Sequence, residues 1–592
     1  MKTVSLIQRI FSFAKPFRKA ILLTFLSVFI FSILNALADF FISKIVDFIQ
    51  QNKAETLQIF LFLFLAGLFV LIRIILSVYQ ERREVNEIDL GITNHNTFHS
   101  VEKFFSFSTG QHLNEHSGVK QNIVNKGIGS IQNQINRVIY ELFPNFAQFF
   151  VSIIVICYAD WRIVIILLLA TLLYFLRMNS LAKDLLPGFK EFRDKTNSSS
   201  RLTSELYRMV GLIKFETQEA KSLELLKQSQ DENQKAYEKA WKPGISGFRD
   251  LRLIGNGTRF LVILILVIIF FYQKGTTTGN FFLVFIYSKS FSDSLWQMAS
   301  WYRGFLMDKM NIEKFLELLE IKPEITNVEN PIKPDKFEGK IEFKNVSFHY
   351  LCRKSEHDVE GLEISDEPVL HNVSFIIEAG QKVGIVGGSG SGKSTLINLI
   401  RRAFDPTHGQ ILVDGNDLRL LDLQIYLKNI GCVDQEVQMF DRSIRDNILF
   451  GSSNDISEDN MNELLKIARI DDFFGKLEHG LDTIVGERGA KISGGERQRL
   501  GIARALAKKP SILIFDEATS ALDSTSEKLV QESIDEASKG KTAVVIAHRL
   551  STIKNCDKIL VFREGVLLAE GSHEFLLENS EYYSELVKHQ TL

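Results

Sequence analysis

Ile492-Ser493-Gly494-Gly495-Glu496 is the stretch on which the reading of this chain turns. Upstream lies Gly387-Gly388-Ser389-Gly390-Ser391-Gly392-Lys393-Ser394-Thr395, and downstream the acidic pair Asp516-Glu517. The upstream stretch follows a short β-rich run, Lys382–Val386, and passes into a helical pattern, Leu396–Phe404. A glycine-rich turn between strand and helix points backbone N–H groups at phosphate. Lys393 supplies a point charge at the β- and γ-phosphates, and the Ser394 hydroxyl a ligand for Mg²⁺. Ser511–Phe515 reads as a second buried strand leading into Asp516, which suits the Mg²⁺ shell. Glu517, next to it, is placed to orient and deprotonate an attacking water.

Working outward, the chain is too long for one ordinary domain at 592 residues. A net charge of -2 gives no global argument for nucleic acid. Hydrophobic residues make up 45%, and a mean hydropathy of +0.04 is high for a chain with 24% charged residues. The apolar runs crowd into the part before about Lys309; the rest reads as a soluble α/β protein. Cys157, Cys352, Cys432 and Cys556 are far apart and have neither zinc nor disulfide-framework spacing.

A membrane-spanning helix needs about 20 mostly apolar residues. Six stretches qualify: Ala20–Val46, Leu57–Tyr79, Val138–Tyr158, Trp161–Met178, Leu253–Tyr272 and Asn280–Leu306. Only Ala159-Asp160 separates the third from the fourth, which predicts a tight hairpin. Lys and Arg crowd the N-terminal segment and the loops after spans two and four, so both termini and both long loops are expected in the cytosol. Ala36-Leu37-Ala38 imitates a signal-peptide cleavage site, but the apolar pattern continues through Phe40, Phe41, Ile42 and Ile45. Leu6–Phe17 is amphipathic and basic, the pattern of a helix lying on the inner membrane surface. The long loops read as helical continuations of the spans, turned near Gly110–Gly118 and Glu205–Glu216.

The expected organisation is a membrane domain over residues 1–320, a Pro-containing polar linker over 321–339 and a nucleotide-binding domain over 340–592. Arg353–Glu367 is expected to be a surface loop.

Taken together, these motifs resemble the ABC (ATP-binding cassette) superfamily over the whole second half, with every expected motif in order. The resemblance implies an α-helical polytopic membrane domain of six spans fused to an α/β P-loop NTPase cassette, an exporter-type half-transporter similar to lipid flippases and multidrug exporters. It implies ATP and Mg²⁺ as cofactors. Tyr350 looks like the aromatic that stacks on adenine. Gln435 looks like the loop glutamine that senses Mg²⁺, and Asp523 like the acid of the D-loop. His548 looks like the switch histidine that joins Glu517, Gln435 and Lys393 in catalysis. Ser493, Gly494, Gly495 and Glu496 look like a signature that closes over ATP held by another chain's loop. A homodimer is therefore implied, with a heterodimer as the alternative. The signature departs from the family pattern at Ile492 and Glu496, and Asp434 stands where Pro or Ser is usual.

The cargo is not written in a motif. Polar positions recur at helical spacing in the first and sixth spans, and Asn35, Asp39, Asp293 and Gln297 are candidates to line a translocation path through the membrane lipid. The alternative is that these groups pair inside the bundle and hold it together. The resemblance implies an exporter of amphipathic, lipid-like or drug-like substrates, in a multi-pass protein of a bacterial inner or plasma membrane. Peptide export, import on the exporter fold with siderophore-like cargo, and an ATP-gated channel or regulatory subunit are the other readings.

Overall fold

The computed structural model describes residues 3–50, 56–113, 117–272, 277–353, 362–364, 367–452, 456–471, 477–518, 522–546 and 549–591. The chain divides into two compact units, Met1–Phe104 with Ser117–Ile321, and Phe105–His116 with Lys322–Leu592.

The first unit is helical throughout. Its helices are α1 (Thr3–Ser12), α2 (Arg18–Gln50), α3 (Thr56–Arg83) and α4 (Leu90–Phe105). After the short α5 (Thr109–Leu113) come α6 (Ser117–Arg137), α7 (Phe143–Ala159), α8 (Trp161–Arg208), α9 (Val210–Phe215), α10 (Glu219–Tyr272) and α11 (Thr278–Glu320). π-helical turns over Glu84–Asp89 and Val138–Leu142 carry α3 into α4 and α6 into α7. Among the described residues, five segments are long and apolar enough to cross a membrane: Lys15–Gln50, Thr56–Phe105, Gln121–Ala159, Trp161–Arg208 and Glu219–Phe271. The sixth expected span lies within α11, which is not among these five; its serines, Gln297, Lys289 and Asp293 make it more polar than the others. Span two shows why a bilayer is required. Only Ala66 of α3 is buried, while Leu57, Phe60, Leu61, Phe64 and Leu71 are exposed. An apolar surface of that extent has no place in water.

Asp160 makes the expected hairpin between α7 and α8. Its carboxylate caps α8, accepting from the Arg162 N–H at 2.9 Å. α8 and α10 approach closely where side chains are small: a Cβ on Gly188 would stand 2.7 Å from the Ala240 Cα. The amphipathic helix α1 forms as expected, but protein fills its apolar face. Leu6 and Ile10 are buried in one cluster with Ile131, Ile135 and Phe315.

In the second unit, two sheets carry the cassette. The larger has the order β12-β11-β5-β10-β9-β8, with β5 (Lys382–Gly387), β8 (Ile430–Val433), β9 (Ile512–Asp516), β10 (Thr542–Ile546), β11 (Lys558–Arg563) and β12 (Val566–Gly571). All its pairings are parallel except β11 with β12. β10 is buried at every position, as a parallel strand covered on both faces must be. The smaller sheet is antiparallel, β4-β1-β6-β7, from β1 (Ile341–Phe348), β4 (Leu370–Ile377), β6 (His408–Val413) and β7 (Asn416–Asp417). The expected loop over 353–367 is partly a hairpin: β2 (Leu351–Arg353) pairs antiparallel with β3 (Leu362–Ile364), and residues 354–361 and 365–366 lie outside the described residues.

Residues 321–339 hold to the cassette surface. The Ile332 N–H donates to the Leu420 carbonyl at 2.8 Å, and Phe337 is buried. The Asp414 carboxylate accepts from the N–H groups of Glu338, Gly339 and Lys340. The segment around α5 also belongs to this unit. The Gly110 N–H donates to the Ala403 carbonyl at 3.1 Å, an approach that leaves no room for a Cβ. Gln111 Nε2 donates to the Lys322 carbonyl at 3.0 Å. α5 and α9 stand at the two bends expected near Gly110–Gly118 and Glu205–Glu216, and α9 is exposed along nearly its whole length.

Candidate functional site

β5 and β9 end at the same edge of the large sheet, with β10 between them. That edge, outside the carboxyl ends of parallel strands, is where open α/β sheets bind ligands. The chain leaves β5 at Gly387, turns through Gly388–Gly392 and enters the helix α12 (Lys393–Ile400). Gly390 and Gly392 take left-handed conformations with φ of 77° and 95°, which a side chain would strain. Ser389 and Gly390 are exposed at the loop tip, and Ser394 is exposed at the helix start. Lys393 folds back, and its Nζ donates to the Gly387 and Gly388 carbonyls at 2.9 and 2.8 Å. Burial draws the Lys393 ammonium below the usual lysine range, against the attraction of Glu517 and Asp516. Ser391 is buried and its hydroxyl has no partner among the described residues. A phosphate oxygen would satisfy that hydroxyl, so the loop fits a nucleotide.

The acidic pair stands at the end of β9. Asp516 faces Ile546 of β10 in register, and the Glu517 N–H donates to the Ile546 carbonyl at 3.0 Å. Glu517 has a φ of 47°, a strained conformation for a residue with a side chain and one that collects at working sites. Its carboxylate accepts from Gln435 Nε2 at 2.7 Å. Burial first, then repulsion from Glu517 and Asp434, pushes the Asp516 carboxyl up to about 6, while Arg401 and Lys393 pull it down. Crowded carboxylates beside an exposed serine hydroxyl and a glutamine are a donor set that a hard divalent cation relieves. Ser394, Gln435 and Asp516 therefore fit Mg²⁺.

Tyr350 is held at the loop by its hydroxyl, 3.1 Å from Thr395 Oγ1, and packs edge-on against Phe348 and Phe404. The signature residues begin the helix Gly494–Ala507. Ser493 and Glu496 form a capping box, with Glu496 Oε2 accepting from the Ser493 N–H at 2.7 Å and Ser493 Oγ from the Glu496 N–H at 3.3 Å. The acid at 496 thus has a local role. A Cβ on Gly495 would stand 2.7 Å from the Ser526 Cβ, so this glycine lets two helices touch. Ser526 belongs to the helix Ser524–Ser538, capped by Asp523. Among the described residues, no hydrogen bond joins Ser493–Glu496 to the phosphate loop. His548 lies outside the described residues.

Three residues that the motif reading passed over hold this site together. Arg401 Nη1 donates to Asp434 at 2.8 Å, giving the unusual acid before Gln435 a partner. Gln498 Nε2, one turn into the signature helix, donates to the Gln435 carbonyl at 2.7 Å. The Tyr582 hydroxyl accepts from the Gly388 N–H at 3.2 Å. Of these only Gln498 carries a sequence signal, its spacing from Ser493.

The membrane candidates divide into two pairs. Asn35 accepts from Arg73 at 3.1 Å, and Asp39 from the Tyr287 hydroxyl at 2.9 Å, both within the bundle. Asp293 and Gln297 are exposed on α11 in one row with Phe285 and Lys289.

Residues 370–520 match the family model described as ABC transporter. The chain is 45% identical over 261 residues to Multidrug resistance protein 1 of Entamoeba histolytica, covering 44% of this chain and 19% of that protein. It is 43% identical over 272 residues to the ATP-dependent lipid A-core flippase of Syntrophus aciditrophicus, covering 46% and 43%. It is 39% identical over 315 residues to the Beta-(1-->2)glucan export ATP-binding/permease protein NdvA of Nitrobacter winogradskyi, covering 53% and 49%. In each case the match spans less than half of the relative. Among solved structures, a bacterial Atm1-family ABC exporter with ATP bound superposes with a TM-score of 0.84 at 26% identity, over 97% of this chain and 98% of that one.

Proposed function

We propose that this chain, an exporter-type half-transporter of the ABC superfamily, uses ATP to drive an amphipathic substrate across a membrane as one half of a homodimer. The observation that carries the reading is the joining of Lys393, Asp516, Glu517 and Gln435 at one sheet edge, in a chain with five membrane-length helices. Residues 1–320 would form the membrane domain, 340–592 the cytosolic cassette, and 321–339 the connection. A bacterial inner or plasma membrane is the setting we infer.

In this reading the Gly388–Gly392 turn and the start of α12 bind the phosphates, and Lys393 leaves the loop carbonyls to meet their charge. Mg²⁺, when bound through Ser394, Gln435 and Asp516, supplies charge neutralisation at the phosphates. Glu517, held by the Gln435 amide and the Ile546 carbonyl, takes a proton from the attacking water as the bond to the departing phosphate group breaks. Asp523, His548 and the adenine-facing role of Tyr350 are carried by the resemblance. Among the described residues no hydrogen bond joins Ser493–Glu496 to the chain's own loop, and the loop of a second copy would be its partner. Closure of the two cassettes would pass through Gln435 and the bends at α5 and α9. The work is done by the difference in ATP affinity between two conformations.

The experiment is ATPase and flux measurement in proteoliposomes of the purified chain, beside Glu517→Gln. ATP-dependent movement of amphipathic probes by the wild type alone supports the reading. Equal movement by both, or a functional monomer by light scattering, overturns it.

A further inference from the structure

Within the fifth and sixth expected spans, α10 carries Arg259 and α11 carries Lys289 and Asp293, with Arg252 just before the fifth. The register of the two helices is fixed by three contacts. The Arg252 guanidinium lies 4.7 Å over the Trp296 ring, a Cβ on Gly255 would come within 3.0 Å of Ser292 Oγ, and the Arg259 guanidinium lies 5.7 Å over the Phe285 ring. Arg252 and Arg259 therefore run alongside the exposed row Phe285, Lys289 and Asp293.

Among the described residues, no acid answers these cations. Arg259 Nε is buried without a hydrogen-bond partner. Among the described residues, neither Arg252, Arg259 nor Lys289 has an ion pair, although Asp293 stands one turn from Lys289. Asp39, on α2, is taken up by Tyr287. Each uncompensated charge at this depth is costly if turned to hydrocarbon, so the row faces water or another polar group. Three cations against one acid leave that face positive. The Phe285 and Trp296 rings between them offer apolar surface beside the charge.

We propose that Arg259 and Lys289, with Arg252 nearer the end of the span, bind the anionic group of the transported substrate, so that the cargo is an anionic amphipath whose apolar part lies against Phe285 and Trp296. This rests on the transporter reading above and adds the charge of its substrate. Export then begins with an anion replacing water around Arg259, in the low-dielectric surroundings where charge-assisted hydrogen bonds are strongest.

The test uses the purified dimer in phosphatidylcholine liposomes, with three fluorescent probes of equal chain length: a phosphatidylglycerol, a phosphatidylcholine and a quaternary-ammonium amphipath. We expect ATP-dependent transport with a KM for the phosphatidylglycerol probe about tenfold below that for the others. In Arg259→Gln/Lys289→Gln that ratio falls towards one, and in Arg259→Lys/Lys289→Arg it is restored. Should the Gln variant elute as aggregate, Arg259→Gln and Lys289→Gln alone are each expected to lower the ratio. ATP-dependent transport with no anionic preference, or a preference that survives both Gln substitutions, overturns the charge assignment and leaves the transporter reading standing. No ATP-dependent movement of any probe, with wild type and Glu517→Gln alike, overturns the transporter reading itself.

Discussion

The Gln435 side-chain amide donates a 2.7 Å hydrogen bond to the Glu517 carboxylate, across 82 residues of sequence. It links the residue proposed to sense Mg²⁺ with the proposed base. The same glutamine is gripped from behind, through its carbonyl, by Gln498 of the signature helix. Acidic pair, Gln435 and signature helix are thus joined by hydrogen bonds, and Lys393 of the glycine-rich loop feels the charge of the same pair.

Glu517→Gln keeps the shape of the site and removes its capacity to accept a proton. Steady-state ATPase is expected to fall by about 10²–10⁴-fold, the usual worth of a general base. ATP binding, read by fluorescent-nucleotide titration, is expected to persist. Near-normal turnover would show that another group takes the proton.

Arg401 and Asp434 are expected to act as a positioning pair for Gln435. Arg401→Leu and Asp434→Ala should each lower kcat several-fold, about 3–10 times, with a smaller change in the KM for ATP, as for an interaction that counts more in the transition state. Because the two substitutions remove one contact, the double variant should be no worse than either single one. Strictly additive losses would mean that the residues act separately.

Gly495→Ala places a Cβ where Ser526 already stands, 2.7 Å away. Overpacking of this kind costs about 1–3 kcal/mol. A lowered thermal midpoint without nucleotide is expected, and Ser526→Gly in the same chain should recover part of it. An unchanged midpoint would place the need for glycine in the closed dimer alone.

The carboxyl of Asp516 sits at about 6 against an ordinary 3.8, raised chiefly by burial. The folded state therefore holds a proton that the unfolded chain has lost between those values, and acidification through this window stabilises the fold. Without Mg²⁺ and nucleotide, Asp516→Asn should be more stable than wild type at pH 7, and the gap in thermal midpoint should close towards pH 5. A gap that widens on acidification would contradict the assignment.

Asp39 and Asp293 should respond differently to removal. Asp39→Ala strands the buried Tyr287 hydroxyl, at a cost of about 1–3 kcal/mol, and should lower the thermal midpoint. Asp293→Ala removes an exposed group with no partner among the described residues, so it should change cargo KM and leave the midpoint in place. The opposite pattern would move the transport role to Asp39.

By itself the sequence determined the resemblance to the ABC superfamily, the glycine-rich loop, the acidic pair and most of the spans. Each depends on local order: glycines at fixed offsets between a strand and a helix, or about 20 apolar residues in a row. Tertiary structure alone decided what those residues touch. Asp434 looked like a departure until the end of α12 brought Arg401 to it, and Glu496 until the capping box gave it the Ser493 N–H. The membrane candidates looked alike in sequence because periodicity gives the face of a helix and not its neighbour. Asn35 and Asp39 are tied by Arg73 and Tyr287, while Asp293 and Gln297 remain exposed, because helix packing fixes which polar groups meet.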